Sequence, residues 1–193
     1  MRKLTVDDIA DHRVYERERD DFRRHIIDLK RRRRIRLGDL VSIVFENTDT
    51  MRWQVQEMAR AERMLTDTAV ADEVATYNEL IPNEGELSGT LFIELTNDTQ
   101  VREWLPKLVG IEYHVHFELR DGSRVDAIPQ DEERLTRDHV AATVHYLKLR
   151  FTSEQRAALA DGPARLVIDH PNYQACVGLT DEQRAALALD LAE

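Results

Sequence analysis

Tyr113-His114-Val115-His116-Phe117-Glu118-Leu119 alternates apolar and polar side chains, turns through Arg120-Asp121-Gly122-Ser123, and resumes as Val125-Asp126-Ala127-Ile128. A period of two places Tyr113, Val115, Phe117 and Leu119 on one face of a strand and His114, His116 and Glu118 on the other, wet face. With a turn between the two runs, the segment reads as a β-hairpin. The fold therefore contains a sheet with at least one antiparallel pair.

Outward from this hairpin, four further runs have strand character. Asp39–Glu46 contains the β-branched core Leu40-Val41-Ser42-Ile43-Val44-Phe45; Gly89–Leu95, Val140–Phe151 and Arg165–Asp169 are the others, the last stopped by Pro171. Helices fall between them. A short one starts at Thr5 with Asp8 in its first turn and Leu4 and Ile9 as a hydrophobic staple. A longer one runs from Tyr15 on the stripe Phe22, Ile26 and Leu29, and its basic end stops before Gly38. Asn47-Thr48-Asp49-Thr50 caps a third, with Met51, Val55, Met58, Glu62 and Leu65 near one face and Gln54 and Glu57 at its margin. Ala69–Leu80, ended by Pro82 and Gly85, and Asp98–Leu108, ended by Gly110, are two more, while the segment 131–138 is too charged for a core.

Ser153-Glu-Gln-Arg-Ala-Ala-Leu-Ala160 and Asp181-Glu-Gln-Arg-Ala-Ala-Leu-Ala188 nearly coincide. Each follows a threonine that forms a capping box with Gln155 or Gln183, so both read as ordinary capped helices and not as units of a solenoid. The sum is an α+β protein: a mixed or antiparallel sheet of about five to six strands packed by helices. Residues 1–193 form a single domain, with 1–36 a helical, basic N-terminal segment and 37–193 mixed strands and helices.

Of the 193 residues, 42% are apolar and 33% charged, which suits a folded protein with a heavily charged surface. No stretch approaches the roughly 20 uninterrupted apolar residues of a membrane span, and the N-terminus lacks the apolar core of a secretory signal. A cytoplasmic, soluble protein with no membrane partner is expected. The single cysteine, Cys176, excludes an internal disulfide and a cysteine-based metal site, and reads as a small buried hydrophobe or a redox thiol near His170. The net charge of -10 is uneven: residues 1–36 hold 13 Lys/Arg against 8 Asp/Glu, a balance of +5, which leaves -15 for the rest. Such overall acidity disfavours nonspecific nucleic-acid binding but leaves room for a local basic patch.

No phosphate-binding glycine loop, dinucleotide fingerprint, nucleophile elbow, His-Glu-x-x-His pair or EF-hand loop occurs, so no cofactor is evident. His114-x-His116 has a spacing that zinc or iron uses when Glu118, His145 or His170 adds a third ligand, and it is also what a wet strand face carries. Lys30-Arg31-Arg32-Arg33-Arg34-Ile35-Arg36 offers Arg31, Arg32, Arg33, Arg34 and Arg36 to an acidic partner or to phosphate, or simply complements a helix C-terminus. Polar residues in core-like surroundings form the candidate pocket: Glu46 and Asn47 at a strand end, Gln54 and Glu57 on the next helix, Glu94 at another strand end, and His170 with Tyr173 late in the chain. They suit an acid, base or metal ligand if they converge, and capping or helix-margin roles if they do not.

Phe45-Glu46-Asn47, Thr50, Gln54, Glu57-Met58 and Glu62, then Tyr77-Asn78-x-Leu80-x-Pro82, Thr90-Leu91 with Glu94, and His170-Pro171-x-Tyr173 resemble, in order and spacing, the bacterial domain of unknown function 3501 family. The resemblance carries no catalytic residues across. It implies a genomic setting beside rubrerythrin-like proteins and iron-sulfur proteins similar to heterodisulfide reductase subunits, hence a peroxide-defence or electron-transfer context. With one cysteine the chain cannot hold an iron-sulfur cluster itself and would serve as a partner. Three functions follow as expectations: an accessory or binding protein for a redox system with a rubrerythrin-like or iron-sulfur partner; an enzyme or metal-binding protein using Glu46, Glu57, Glu94 and His170; and a nucleic-acid-binding regulator acting through Arg31 to Arg36.

Overall fold

The structure, a computed structural model, describes residues 1–130 and 140–192. Its centre is one sheet of eight strands: β1 (Arg34–Leu37), β2 (Val41–Glu46), β3 (Glu86–Ile93), β4 (Val115–Glu118), β5 (Arg124–Gln130), β6 (Val144–Arg150), β7 (Arg165–His170) and β8 (Tyr173–Gly178), in the order β1-β2-β3-β6-β5-β4-β7-β8. Every pairing is antiparallel, so the expected α+β class stands, but the expected five to six strands do not: there are eight among the described residues. The two additions are β1 and β8. Arg34-Ile35-Arg36-Leu37 continues a helix-favouring run of arginines and was expected to be its end; instead α1 stops at Arg33, and Ile35 and Leu37 turn inward opposite Ile43 and Val41. Tyr173–Gly178, after Pro171, lacks an apolar run of its own and becomes a strand by pairing with β7.

The sheet curls into a nearly closed barrel. Alternate residues fill it: Ile35, Leu37, Val41, Ile43, Phe45, Leu87, Leu91, Val115, Phe117, Leu147, Leu149, Leu166 and Ile168 are all at most 1% exposed. The seam between β1 and β8 has no strand ladder and is latched by Tyr173, whose hydroxyl donates to the Leu37 carbonyl (2.5 Å) and accepts from the Leu40 amide (3.1 Å). That latch passes over Gly38, which turns the chain between β1 and β2 at φ +68°; a Cβ there would lie 2.5 Å from the Tyr173 oxygen.

Six α-helices are described: α1 (His12–Arg33), α2 (Thr48–Ala61), α3 (Asp67–Asn78), α4 (Asp98–Trp104), α5 (Ser153–Asp161) and α6 (Asp181–Ala192). Because β6 and β8 run in the same direction, α5 and α6 leave from the same rim of the barrel, and their Leu159 and Leu187 are wholly buried. The twin sequences make twin contacts. Thr152 and Gln155 form the reciprocal box, as do Thr180 and Gln183, and each glutamine amide reaches a carbonyl at a strand start, Arg124 or Arg34 (3.2 Å each). At the N-terminus, Leu4, Met51, Val55, Val74 and Ile81 form a second, smaller core with α2 and α3.

Three smaller expectations change. α2 ends at Ala61, so Leu65 leaves its apolar face and is 82% exposed. His116, expected on a wet face, is only 2% exposed, with the ion-paired Asp169 and Arg124 beside it. The charged segment 131–138 lies outside the described residues.

Candidate partner-docking site

Arg23, Ile26, Ile27, Lys30 and Arg31 recur at three- and four-residue spacing along one face of α1. β1 alternates in burial, so as Ile35 and Leu37 enter the barrel, Arg34 and Arg36 point out beside that helix face. Together with Trp53 of α2 these residues line an open groove of 570 Å³, which among the described residues contains five cations and no carboxylate. Its floor is apolar, and Ile27 is 54% exposed.

Carboxylates behind the groove hold its walls. Glu94, just beyond β3, accepts from Arg34 Nη1 (2.8 Å) and Ser42 Oγ (2.5 Å) and pairs with Arg36 (3.3 Å). The Arg34 guanidinium also lies over the Phe92 ring at 5.4 Å. On the other side Glu57 takes two hydrogen bonds from Arg19 (2.8 Å each) and one from the Tyr15 hydroxyl (2.6 Å). The Arg19 bonds hold the Glu57 carboxyl below its ordinary range, and burial raises the Tyr15 phenol. Arg19 in turn lies over Trp53, which meets Tyr15 and Phe22 edge-on. Two carboxylates of the expected pocket thus serve as counterions that orient a basic groove.

The remaining members are dispersed. Glu46 is 4% exposed at the end of β2 and accepts from Thr90 Oγ1 at 2.8 Å. Asn47 is the N-cap of α2, exchanging hydrogen bonds with Thr50. Gln54 hydrogen-bonds the Tyr77 phenol, whose pKa burial raises. His170 and Tyr173 belong to the opposite rim: the imidazole contacts the Val109 carbonyl (3.1 Å) and accepts from the Asn172 amide (3.2 Å), and Tyr173 is the seam latch. The backbone of Leu40 links that rim to Glu94, accepting from the Glu94 amide at 2.6 Å.

The five arginines of the basic run also separate. Arg31, Arg34 and Arg36 line the groove, whereas Arg32 and Arg33 face a different cleft of 460 Å³ beside α6, where Arg33 is buried against Asp190. His114 and His116 both approach Asp169, at 3.2 and 3.9 Å, but among the described residues no group of three or more His, Cys, Asp or Glu side chains is placed to hold a metal ion. Cys176 is exposed on β8, against the expectation of burial, because β8 is an edge strand with one open face. Sequence reasoning missed Arg23, Ile27 and Trp53. The available signal was Ile27, an apolar side chain set between Arg23 and Arg31 at helical spacing, off the Phe22-Ile26-Leu29 stripe.

A family model described as a protein of unknown function (DUF3501) matches residues 3–191. The chain belongs to this family. The DUF3501 chain is also similar to a crystal structure of a novel protein of unknown function from Burkholderia pseudomallei, at 31% identity and a TM-score of 0.90, over 98% of this chain and 100% of that one. No curated protein matches it. Among the described residues of this DUF3501 chain, no helix is long and apolar enough to cross a membrane.

Proposed function

We propose that this chain is a cytoplasmic accessory protein that docks an acidic protein partner in the α1–β1 groove. The observation that carries the reading is the composition of that groove: Arg23, Lys30, Arg31, Arg34 and Arg36 around Ile27 and Trp53, with no carboxylate among the described lining residues, on a chain whose net charge is -10. Cations of one sign over an apolar floor favour a surface of Asp and Glu with an apolar side chain at its centre, since the floor supplies burial and the rim supplies steering. A rubrerythrin-like or iron-sulfur protein of a redox or peroxide-defence system is the first partner to test, because the family resemblance implies that setting.

Binding of purified rubrerythrin-like and iron-sulfur proteins, measured by calorimetry at low and high salt, tests the reading. The expected result is binding that weakens about tenfold between 50 and 500 mM salt, and by a similar factor when Lys30 and Arg31 are both changed to Glu. No binding at low salt, or binding indifferent to Lys30→Glu with Arg31→Glu, overturns it. Tighter binding of a single-stranded oligonucleotide than of any acidic protein would replace it with a nucleic-acid role.

A further inference from the structure

Behind the groove, where Arg34 and Arg36 turn toward Glu94, one carboxylate is already held as an anion. The Glu94 carboxylate accepts from Arg34 Nη1 at 2.8 Å and from Ser42 Oγ at 2.5 Å and pairs with Arg36 Nη2 at 3.3 Å, so one guanidinium donor, one hydroxyl donor and one further cation converge on one group. The two arginines of this cradle reach the outward surface, lining the groove with side chains 45% and 66% exposed, while Ser42 lies at its back, 1% exposed. Glu94 itself is 32% exposed. Its backbone is fixed by the hydrogen bond from its amide to the Leu40 carbonyl (2.6 Å), independently of the side chain.

We infer that the Arg34–Arg36–Ser42 cradle is the carboxylate subsite of the groove, that Glu94 occupies it in the free protein, and that a partner's aspartate or glutamate displaces Glu94 on docking. The inference rests on the docking reading above and specifies the partner's chemistry. Replacing one carboxylate by another leaves the guanidinium groups paired throughout, so the exchange is nearly neutral in Coulomb energy for these partly solvated groups. The floor at Ile27 and Trp53 then supplies the net gain. Specificity follows: a ligand without an anionic group at that point displaces Glu94 and leaves two cations uncompensated, which disfavours it. Glu94 thereby sets a threshold, screening the groove against weak anions.

The two possible roles of Glu94 have opposite consequences. If it only holds Arg34 and Arg36 in place, removing its charge loosens the site and weakens binding. If it competes with the ligand, removing its charge strengthens binding. The probe is a fluorescein-labelled oligoglutamate peptide with one central leucine, followed by anisotropy with the full chain at low salt.

The expected result is that Glu94→Gln binds the peptide about fivefold more tightly than the unsubstituted protein, with Glu94→Asp, whose carboxylate is one methylene further from both arginines, changed in the same direction by a smaller factor. Equal or weaker binding by Glu94→Gln, while Lys30→Glu with Arg31→Glu still weakens the unsubstituted protein, overturns the displacement and leaves the docking groove standing. Absence of peptide binding in every variant, Glu94→Gln included, overturns both. Should Glu94→Gln fail to fold, Glu94→Asp decides alone: tighter binding supports the displacement, and unchanged or weaker binding overturns it.

Discussion

Arg33 and Asp190, 157 positions apart, meet in a buried two-pronged ion pair, with Nη2 donating to Oδ1 at 2.7 Å and Nη1 to Oδ2. Their side chains are 6% and 5% exposed. The pair ties the C-terminal end of α1 to α6, and so fixes the helix that carries the groove against the helix that covers the barrel rim.

Removing one member of such a pair strands a charge in the interior. Asp190→Asn is therefore expected to lower the unfolding free energy by about 3–5 kcal/mol, read from urea denaturation. The double change Arg33→Met with Asp190→Leu should recover most of that loss, because it removes both charges and keeps the volume. If Asp190→Asn denatures at the same urea concentration as the unsubstituted protein, the pair contributes nothing to holding α6.

The Tyr173 latch yields a coupled pair of substitutions. Tyr173→Phe removes both hydrogen bonds across the seam and should cost about 1–3 kcal/mol, since the Leu37 carbonyl and Leu40 amide lose their partner. Gly38→Ala strains a φ of +68° and drives a methyl group against the Tyr173 oxygen. In the Tyr173→Phe background that oxygen is gone, so Gly38→Ala should cost less there than alone. Thermal melts of the four proteins measure the difference, and strict additivity would show that the two residues do not meet.

Burial, and then the nearby Arg124 guanidinium, lower the pKa of His116, against the opposing pull of Asp169, Asp126 and Glu118. The unfolded chain therefore takes up the proton first as pH falls. Stability from this residue is full above the ordinary histidine value of about 6.5 and is lost as pH drops from there through the lower folded value. A melt series from pH 8 to 5 should fall over that window, and His116→Leu should flatten it. An unchanged slope in His116→Leu would assign the pH dependence to other groups.

Glu57 titrates with the opposite chemistry and the same sense of loss. Arg19 holds its folded pKa below the unfolded value of about 4.3, so its contribution is present above that value and disappears as pH falls toward the folded pKa. Glu57→Gln should lower stability by about 1–2 kcal/mol at pH 7 and should raise the mobility of Arg19 and Trp53, seen as a shift in tryptophan fluorescence. Fluorescence identical to that of the unsubstituted protein would show that Glu57 does not position the groove wall.

The hairpin Val115–Gln130, the capped starts of α2, α5 and α6, and the apolar, β-branched run of β2 are legible in the sequence because each depends on neighbours within a few residues. Glu57 and Glu94 are singled out there for their setting, but their partners Arg19, Arg34 and Arg36 come from other elements, so the sequence shows the carboxylates without their role. Ile27 and Trp53 carry no polar signature, and the exposure of Ile27 and the half-burial of Trp53 are facts of packing.

Sequence alone determined the α+β class, the antiparallel hairpin, the helix caps and the concentration of positive charge before Gly38, all of which follow from composition, period and local hydrogen bonding. Tertiary structure decided the first and eighth strands, the seam at Tyr173 and the sorting of the five arginines between positions 31 and 36. Arg31, Arg33 and Arg34 have the same side chain; one lines the groove, one is buried against Asp190 and one is clamped to Glu94. The difference arises where α1 becomes β1, since the change from a 3.6-residue to a two-residue period redirects neighbouring side chains, and residues distant in the chain then meet each one with a different partner.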